Sequence, residues 1–383
     1  MDKNREYRIA LVVYTSNLDY DDRIRKEIVS IEKMYPNVKF HIFALYYQNK
    51  EEEGVTSYGV PYRVFALKSR DKYPSNSHTF IKSWEFFKKV KPELKKYDAV
   101  WCADYHIILF PLLLHGKPML WDLHELPFML LGRSWGKFVF RFIERKMKVI
   151  IHANEPRLKY LHSIGLIKNT EKHLAIHNYP DFNEIDSEYD ELYHKFDKWL
   201  GEGKCVYLQG VHDAERADIE SVSAVMDLGE LKAVVVGRVN DTLRERLEKK
   251  YGKEDVDKRL FFTGMLKQLK TPQYARRCIL SLVFYKNTNK NNWYCEPNRL
   301  FQNIINGNPV VVGNNPPMKE LVETYNVGVC ANTDGSDQME IMKAVKQLLR
   351  DYNMYKDNCV KCADKLLWGS QEVVLKEVME RFL

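Results

Sequence analysis

The sequence predicts an α/β protein with two parallel-sheet domains, and three observations carry that prediction. Short apolar runs alternate with helical stretches through residues 7–177. A polar, helix-prone connector follows from Glu184 to Lys204. A second alternating set then runs from Cys205 to Cys330. Strands that alternate with helices make a parallel sheet covered on both faces. Each half therefore reads as a Rossmann-like unit.

In the first half the predicted strands are Tyr7–Tyr14, Phe40–Leu45, Tyr62–Leu67, Ala99–Ala103, Pro118–Asp122, Val149–Ala153 and Leu174–His177. Each is a continuous apolar run, as expected of strands buried on both faces. Between them, Ile24, Ile28 and Ile31 recur at helical spacing within Asp22–Met34, and a Lys-rich helix is expected over Phe80–Lys96. The segment Asn178-Tyr179-Pro180-Asp181 ends the series. The second set comprises Cys205–Gln209, Ala233–Val236, Leu260–Thr263, Ile279–Phe284, Val310–Val312 and Gly328–Cys330. A terminal helix over Gln371–Leu383 carries Val373, Val374, Val378 and Phe382 on one face.

The length of 383 residues suffices for two domains, and the apolar share of 45% is ordinary for a globular chain. The start MDKNREYRIALVV is basic, but its apolar run Ile9–Val13 is too short for a signal peptide and reads as a first strand. No run approaches the roughly 18 apolar residues of a membrane helix. The longest candidate, Ile107–Leu114, is interrupted by Pro111. The seven Cys show no regular spacing. Cys359 and Cys362 form a lone pair on a polar, helix-like segment, without the second pair a structural zinc site needs. Reduced thiols in a cytosolic protein are the expectation. Charge is uneven: residues 1–180 hold 30 Lys and Arg against 20 Asp and Glu, and the remainder 29 against 32. A net +10 in the first half suits an acidic partner, whether nucleic acid, anionic lipid or a phosphorylated acceptor.

The stretch Tyr294–Gly313, YCEPNRLFQNIINGNPVVVG, is the densest in signal. Pro297 suits the first turn of a helix. Leu300, Phe301, Ile304 and Ile305 continue it, Asn306-Gly307 can end it in a left-handed residue, and Pro309 opens the strand Val310–Val312. Free N–H groups at the helix start would face the mouth of the sheet, where an anionic phosphate is stabilised.

This stretch closely resembles the donor-binding motif of family 4 glycosyltransferases, retaining enzymes of the GT-B fold. The matching residues are Pro297-Asn298-Arg299-Leu300-Phe301-Gln302 and Gly307-Asn308-Pro309-Val310-Val311. The family carries two Glu in this motif, one by the sugar and one on the ribose hydroxyls; the corresponding slots hold Tyr294 and Gln302. Gln302 can still bond a diol, because its amide both donates and accepts. Tyr294 supplies no carboxylate.

Further segments extend the resemblance. Asp122-Leu123-His124-Glu125 follows a strand and is similar to a segment whose His reaches over the donor sugar. The competing reading is a satisfied polar turn residue, or Glu125 capping the next helix; position and resemblance favour the functional one. Residues 151–157 and 177–180 resemble family segments that read as structural, with Asn154 and Arg157 starting a helix. Gly210 ends a strand, and Arg216 six residues later takes the place of the family's pyrophosphate cation; its fork suits two phosphate oxygens. Pairing of Arg216 with Glu215, Asp218 or Glu220 is the competing expectation. Arg238 after Gly237 is a second phosphate candidate. Gly264 and Leu266 lie in a loop like the one that holds the nucleotide base. Asp19-Tyr20-Asp21-Asp22 reads as a helix-capping loop and not as a metal site.

Residues 132–148 form a basic amphipathic segment in which Arg133, Lys137, Arg141 and Arg145 recur every four residues. Phe138, Phe142 and Ile143 lie on another face beside Trp135. Such a helix could lie on an anionic membrane surface, or pack in the core with a solvated basic face. No recognised nucleic-acid-binding module is present.

The resemblance implies two Rossmann-like domains facing across a cleft. The expected acceptor domain is 1–183, the nucleotide-sugar domain 184–369, and residues 370–383 a helix crossing back. It implies a hexosyltransferase-like enzyme that moves a sugar from a UDP- or GDP-linked donor with retention. The acceptor would be a saccharide or lipid-linked saccharide in polysaccharide or glycoconjugate assembly. No cofactor and no metal are expected, since the donor is a substrate. His124 and Arg216 are the expected catalytic residues. Donor contacts fall to Gly210, Arg216, Arg238, Gly264, Leu266, Tyr294, Asn298, Arg299, Leu300 and Gln302. The expected location is the cytoplasm, with attachment to the inner membrane face through the basic helix. Two other readings stay open: a GT-B nucleotide-sugar 2-epimerase, and a catalytically silent nucleotide-sugar-binding homologue.

Overall fold

The structure is a computed structural model that describes residues 5–74, 77–181, 188–239 and 241–383. The chain divides into two compact units, Met1–Asn178 with Gln371–Leu383, and Tyr179–Ser370. The expected boundary at 183/184 lies outside the described residues.

The first unit is built on the strands β1 (Tyr7–Thr15), β2 (Val38–Tyr46), β3 (Glu52–Val55), β4 (Pro61–Val64), β5 (Ala99–Ala103), β6 (Met119–Leu123), β7 (Val149–His152) and β8 (His173–Ala175). Among the described residues they form one sheet, in the order β3-β4-β2-β1-β5-β6-β7-β8. Only the β3–β4 pair is antiparallel. The chain winds outward from β1 in one direction through β2 and β4, and from β5 in the other. The point where the direction reverses lies between β1 and β5, and α/β sheets bind ligands outside the carboxyl ends at such a point. Ile9–Val12, Ala99 and Trp121 are wholly buried, as two-sided strands require. The terminal helix Glu372–Phe382 belongs to this unit: Phe382 sets its ring edge-on to Trp101 at 6.2 Å, and Glu372 accepts a hydrogen bond from Ser30.

The second unit carries β9 (Lys204–Gln209), β10 (Leu231–Val236), β11 (Leu260–Gly264), β12 (Leu280–Val283), β13 (Val310–Val312) and β14 (Gly328–Cys330). Their order is β11-β10-β9-β12-β13-β14, all parallel. This is the doubly wound order, with its reversal between β9 and β12. One core packs the β9–β10 face against the helices Asp218–Asp227 and Gln338–Arg350; a second centres on Leu300, Phe301, Ile304 and Val310.

Several expectations are corrected. The helix expected over Phe80–Lys96 is split into Thr79–Val90 and a 3-10 turn at Glu93–Lys96, because Pro92 lacks the N–H that would continue the ladder. Pro297 is the N-cap of the helix Asn298–Ile305 and not part of its first turn; Gly307 takes the left-handed conformation after it. Cys359 and Cys362 sit in the apolar core and not on a polar face. The antiparallel β3 has no apolar alternation to announce it, since its EEGV side chains are largely exposed.

Candidate functional site

The carboxyl ends of β9, β10 and β11 in the second unit each meet a glycine with positive φ. Gly210 donates to Val236 O at 2.9 Å, and Gly237 donates to Gly264 O at 2.9 Å. A Cβ on Gly237 would run into the carbonyl of Gly210, so only glycine lets the two turns nest. The result is a nested backbone ledge beside the sheet's reversal point, with Gly237 buried, Gly210 partly buried and Gly264 exposed.

Two arginines frame that point. Arg299, on the first turn of the helix Asn298–Ile305, donates through Nη1 to Gln209 O at the end of β9 and through Nη2 to Phe284 O after β12, at 3.2 Å for the latter. It therefore clamps the two strands between which the winding reverses. Arg216 ends a 3-10 turn whose N-cap is Asp213. It pairs with Asp213 at 2.9 Å and bonds Val211 O at 3.1 Å. The acids expected to compete for it are engaged elsewhere: Glu220 pairs with Lys286 at 2.7 Å, Glu215 accepts from Asn292 at 3.1 Å, and Asp218 accepts from Ile219 N at 2.6 Å. Both guanidinium groups lie against the ring of Tyr285, which also offers its hydroxyl to Arg216 Nε at 3.4 Å.

Gln302 lies on the same helix, half-buried, and accepts from Gln209 Nε2 at 3.1 Å. A carboxamide thus faces a carboxamide where the family has a carboxylate. Tyr294 ends a short helical turn at Lys290–Trp293, and Asn298 opens the next helix. The Leu300 side chain is wholly buried in the core, and its N–H is bonded to Pro297 O at 2.9 Å. Arg238 is exposed beside the ledge, Gly264 is exposed, and Leu266 is partly buried against the core that contains Tyr274. Sequence reading missed Tyr285, which ends an apolar run and looks like strand. It also missed His212, buried and bonded to Val236 O at 3.1 Å. Burial, with Arg299 and Arg216 nearby, pushes His212 down to about 4, so it is neutral.

In the first unit, His124 follows β6. Its Nε2 meets Asp122 Oδ2 at 2.9 Å, and Asp122 Oδ1 accepts from Arg23 at 2.9 Å. Arg23 also pairs with Glu27 at 3.1 Å and donates to Ile176 O at 2.8 Å. Burial would lower His124, but the Asp122 carboxylate outweighs it and raises the imidazole to about 9. Burial and the same carboxylate push Glu27 up to about 8, partly offset by Arg23. Glu27, Asp122 and His124 converge closely enough to hold a cation, yet the Arg23 guanidinium already supplies positive charge there. Arg157 donates to the His124 carbonyl, and Asn154 caps its helix through Arg157 N at 2.9 Å.

The basic segment forms the helix Ser134–Lys146. Gly136, Phe140 and Ile143 face the core, so Ile143 does not share the outer surface with Phe138 and Phe142. Arg133, Lys137, Arg141 and Arg145 line a surface cavity of about 710 Å³ together with Phe138, Phe142 and Tyr160. Trp135 and Phe138 stand 50% and 73% exposed.

Solved structures resemble the chain over nearly its whole length. Sucrose-phosphate synthase from Thermosynechococcus elongatus gives a TM-score of 0.75 at 13% identity, covering 98% of this chain and 99% of that one. HepE from Anabaena, in complex with UDP, gives 0.70 at 14% identity over 97% and 99%. A UDP-forming trehalose-phosphate synthase from Burkholderia xenovorans gives 0.72 at 10% identity over 98% and 99%. The chain has the GT-B fold. A scan of protein-family models and a search of curated proteins give no match.

Proposed function

We propose that this chain is a glycosyltransferase that moves a sugar from a nucleotide-sugar to a saccharide or lipid-linked saccharide acceptor, with retention of configuration. The observation that carries the reading is the pair of arginines around Tyr285 at the winding reversal of the second sheet, beside a glycine ledge. A diphosphate needs such fixed positive charge when it departs. Arg216 keeps its Nη2 free of hydrogen bonds among the described residues. The helix beginning at Asn298 adds the positive end of its dipole. The family 4 resemblance at 294–313 supports same-face attack, in which the leaving phosphate accepts the acceptor's proton and no carboxylate base is needed. His124, held as a charged donor by Asp122, takes the sugar-side hydrogen bond in this reading. That the bound structures of HepE hold UDP and UDP-glucose supports a UDP-linked donor.

The test is nucleotide release from a panel of UDP- and GDP-sugars, with and without added acceptor saccharides. Release that rises with acceptor is expected. Conversion of a UDP-sugar without acceptor would favour a 2-epimerase instead. Binding without turnover would favour a silent homologue, a reading that Tyr294 and the Gln209–Gln302 pair make specific.

A membrane-facing acceptor is supported by the helix Ser134–Lys146, where exposed Trp135 and Phe138 adjoin four basic side chains. Among the described residues no helix is long and apolar enough to cross a membrane.

A further inference from the structure

A cavity of about 370 Å³ opens in the first unit at the carboxyl ends of β1 and β2, next to the residues that follow β5. Its place is the reversal point of that sheet, the counterpart of the arginine site in the second unit. No residue of this cavity belongs to the family motifs quoted above, and none was a candidate site residue in the sequence.

One wall is aromatic. Tyr14 sits between Tyr47 and His106, with ring centroids 4.9 and 5.1 Å away. His106 is fixed by Asp104, whose Oδ2 lies 2.7 Å from its Nδ1. Asp104 is 7% exposed, its Oδ1 has no hydrogen-bond partner among the described residues, and its backbone holds a positive φ of 70° that a non-glycine residue seldom adopts. Strain of this kind persists where the surroundings impose it, often at a ligand site.

The other wall is cationic. Arg70 lies 5.3 Å over the Tyr14 ring and donates through Nη1 to Tyr46 O and Tyr47 O. No carboxylate pairs with it among the described residues. The nearby acids are committed: Asp71 accepts from Asn49 at 2.7 Å, Glu85 accepts the N–H groups of Lys68 and Ser69 at 2.8 and 2.9 Å, and Asp104 holds His106. Lys82 adds a second positive charge on the same wall and donates to Pro74 O at 2.6 Å.

We propose that this cavity is the acceptor subsite and that it takes an anionic saccharide, a sugar bearing a phosphate or carboxylate group. The proposal rests on the glycosyltransferase reading and names the acceptor class. The electron-rich ring faces suit the electropositive C–H face of a pyranose. A guanidinium lacking a protein counter-ion suits an oxyanion. The size fits a monosaccharide unit, since small-ligand sites begin near 300 Å³.

The experiment is ligand-observed NMR titration of the full chain with glucose, glucose 6-phosphate and glucuronate, with UDP titrated in parallel. At least one charged sugar should bind about tenfold or more tightly than glucose, the scale of one charged hydrogen bond. Which one binds tells phosphate from carboxylate. Arg70→Gln should remove the preference. Because Arg70 also holds two carbonyls, Ser83→Trp serves as a second variant, filling the cavity without touching them; it should abolish binding of the charged sugar. Equal binding of glucose and both charged sugars, or no binding by any, overturns the proposal. So does unchanged binding in Ser83→Trp, or inorganic phosphate competing as well as the sugar phosphate. UDP binding without sugar binding would sink this subsite and leave the glycosyltransferase reading standing; sugar binding without UDP would do the reverse.

Discussion

Arg216 and Arg299 set their guanidinium groups against one ring, with central carbons 5.5 and 5.0 Å from the centroid of Tyr285. The two arginines do different work. Arg299 spends both terminal nitrogens on carbonyls at the ends of β9 and β12, so it holds the sheet. Arg216 is tied through Nη1 to Asp213 and Val211 and through Nε to the Tyr285 hydroxyl, which leaves its Nη2 without a hydrogen bond among the described residues. In the glycosyltransferase reading the ligand-facing charge is therefore assigned to Arg216.

Arg216→Ala is accordingly expected to weaken UDP more than uridine, by about 1.5–3 kcal/mol, the worth of a hydrogen bond to a charged group. Titration calorimetry with both ligands decides it. Equal losses for nucleoside and nucleotide would remove Arg216 from the phosphate site.

Gln302→Glu should keep or strengthen nucleotide-sugar binding, because Gln209 Nε2 can donate to a carboxylate as it does to the amide oxygen. Gln302→Leu should cost about 1–3 kcal/mol in affinity, as a polar contact left unmade. If Gln302→Glu abolished binding while the fold stayed intact, residue 302 would not lie at the ribose.

The Arg23–Glu27–Asp122–His124 network makes stability pH-dependent. Glu27 rises from 4.5 to about 8 and His124 from 6.5 to about 9. Between those limits the folded chain binds more protons than the unfolded one. Stability from these groups is thus full at the acid end of the window and is lost as pH rises toward 9. Glu27→Gln removes the carboxyl's share. Thermal melts at pH 5, 7 and 9 should show the variant gaining on the wild type as pH rises; a gap that stays constant or closes the other way contradicts the assignment.

Four basic side chains beside exposed Trp135 and Phe138 should give reversible attachment to anionic vesicles at low salt. Each Lys or Arg near the surface contributes about 1 kcal/mol, and the effect fades within a Debye length. Co-sedimentation with vesicles containing phosphatidylserine checks this, with Arg133, Lys137, Arg141 and Arg145 changed together to Gln. A wild type that ignores such vesicles at low salt has only a solvated basic face.

The sheets were legible because buried parallel strands are continuous apolar runs, as at Ile9–Val13 and Val310–Val312. The edge strand at Glu52–Val55 was not, since an exposed edge carries no such run. The candidate donor-side residues are legible because they sit in contiguous motifs, at 206–216 and 294–313. Tyr285 was missed because the end of a strand and the start of a site look alike in one dimension. Tyr14, Arg70 and His106 come from three separate segments, and only the winding of the sheet brings them to one cavity. The burial of Leu300 was not legible, because a motif names positions and not the directions in which side chains point.

The first unit is assembled from both ends of the described chain, with residues 179–370 between its two parts. Synthesis runs from one end to the other. While the ribosome works, Trp101 and Ser30 must wait for Phe382 and Glu372, which emerge after all of the second unit. The unit whose synthesis starts first therefore gains these contacts only after residues 179–370 have been made. A transcript cut short near codon 370 would leave the first unit without the helix that sets Phe382 on Trp101 and Glu372 on Ser30.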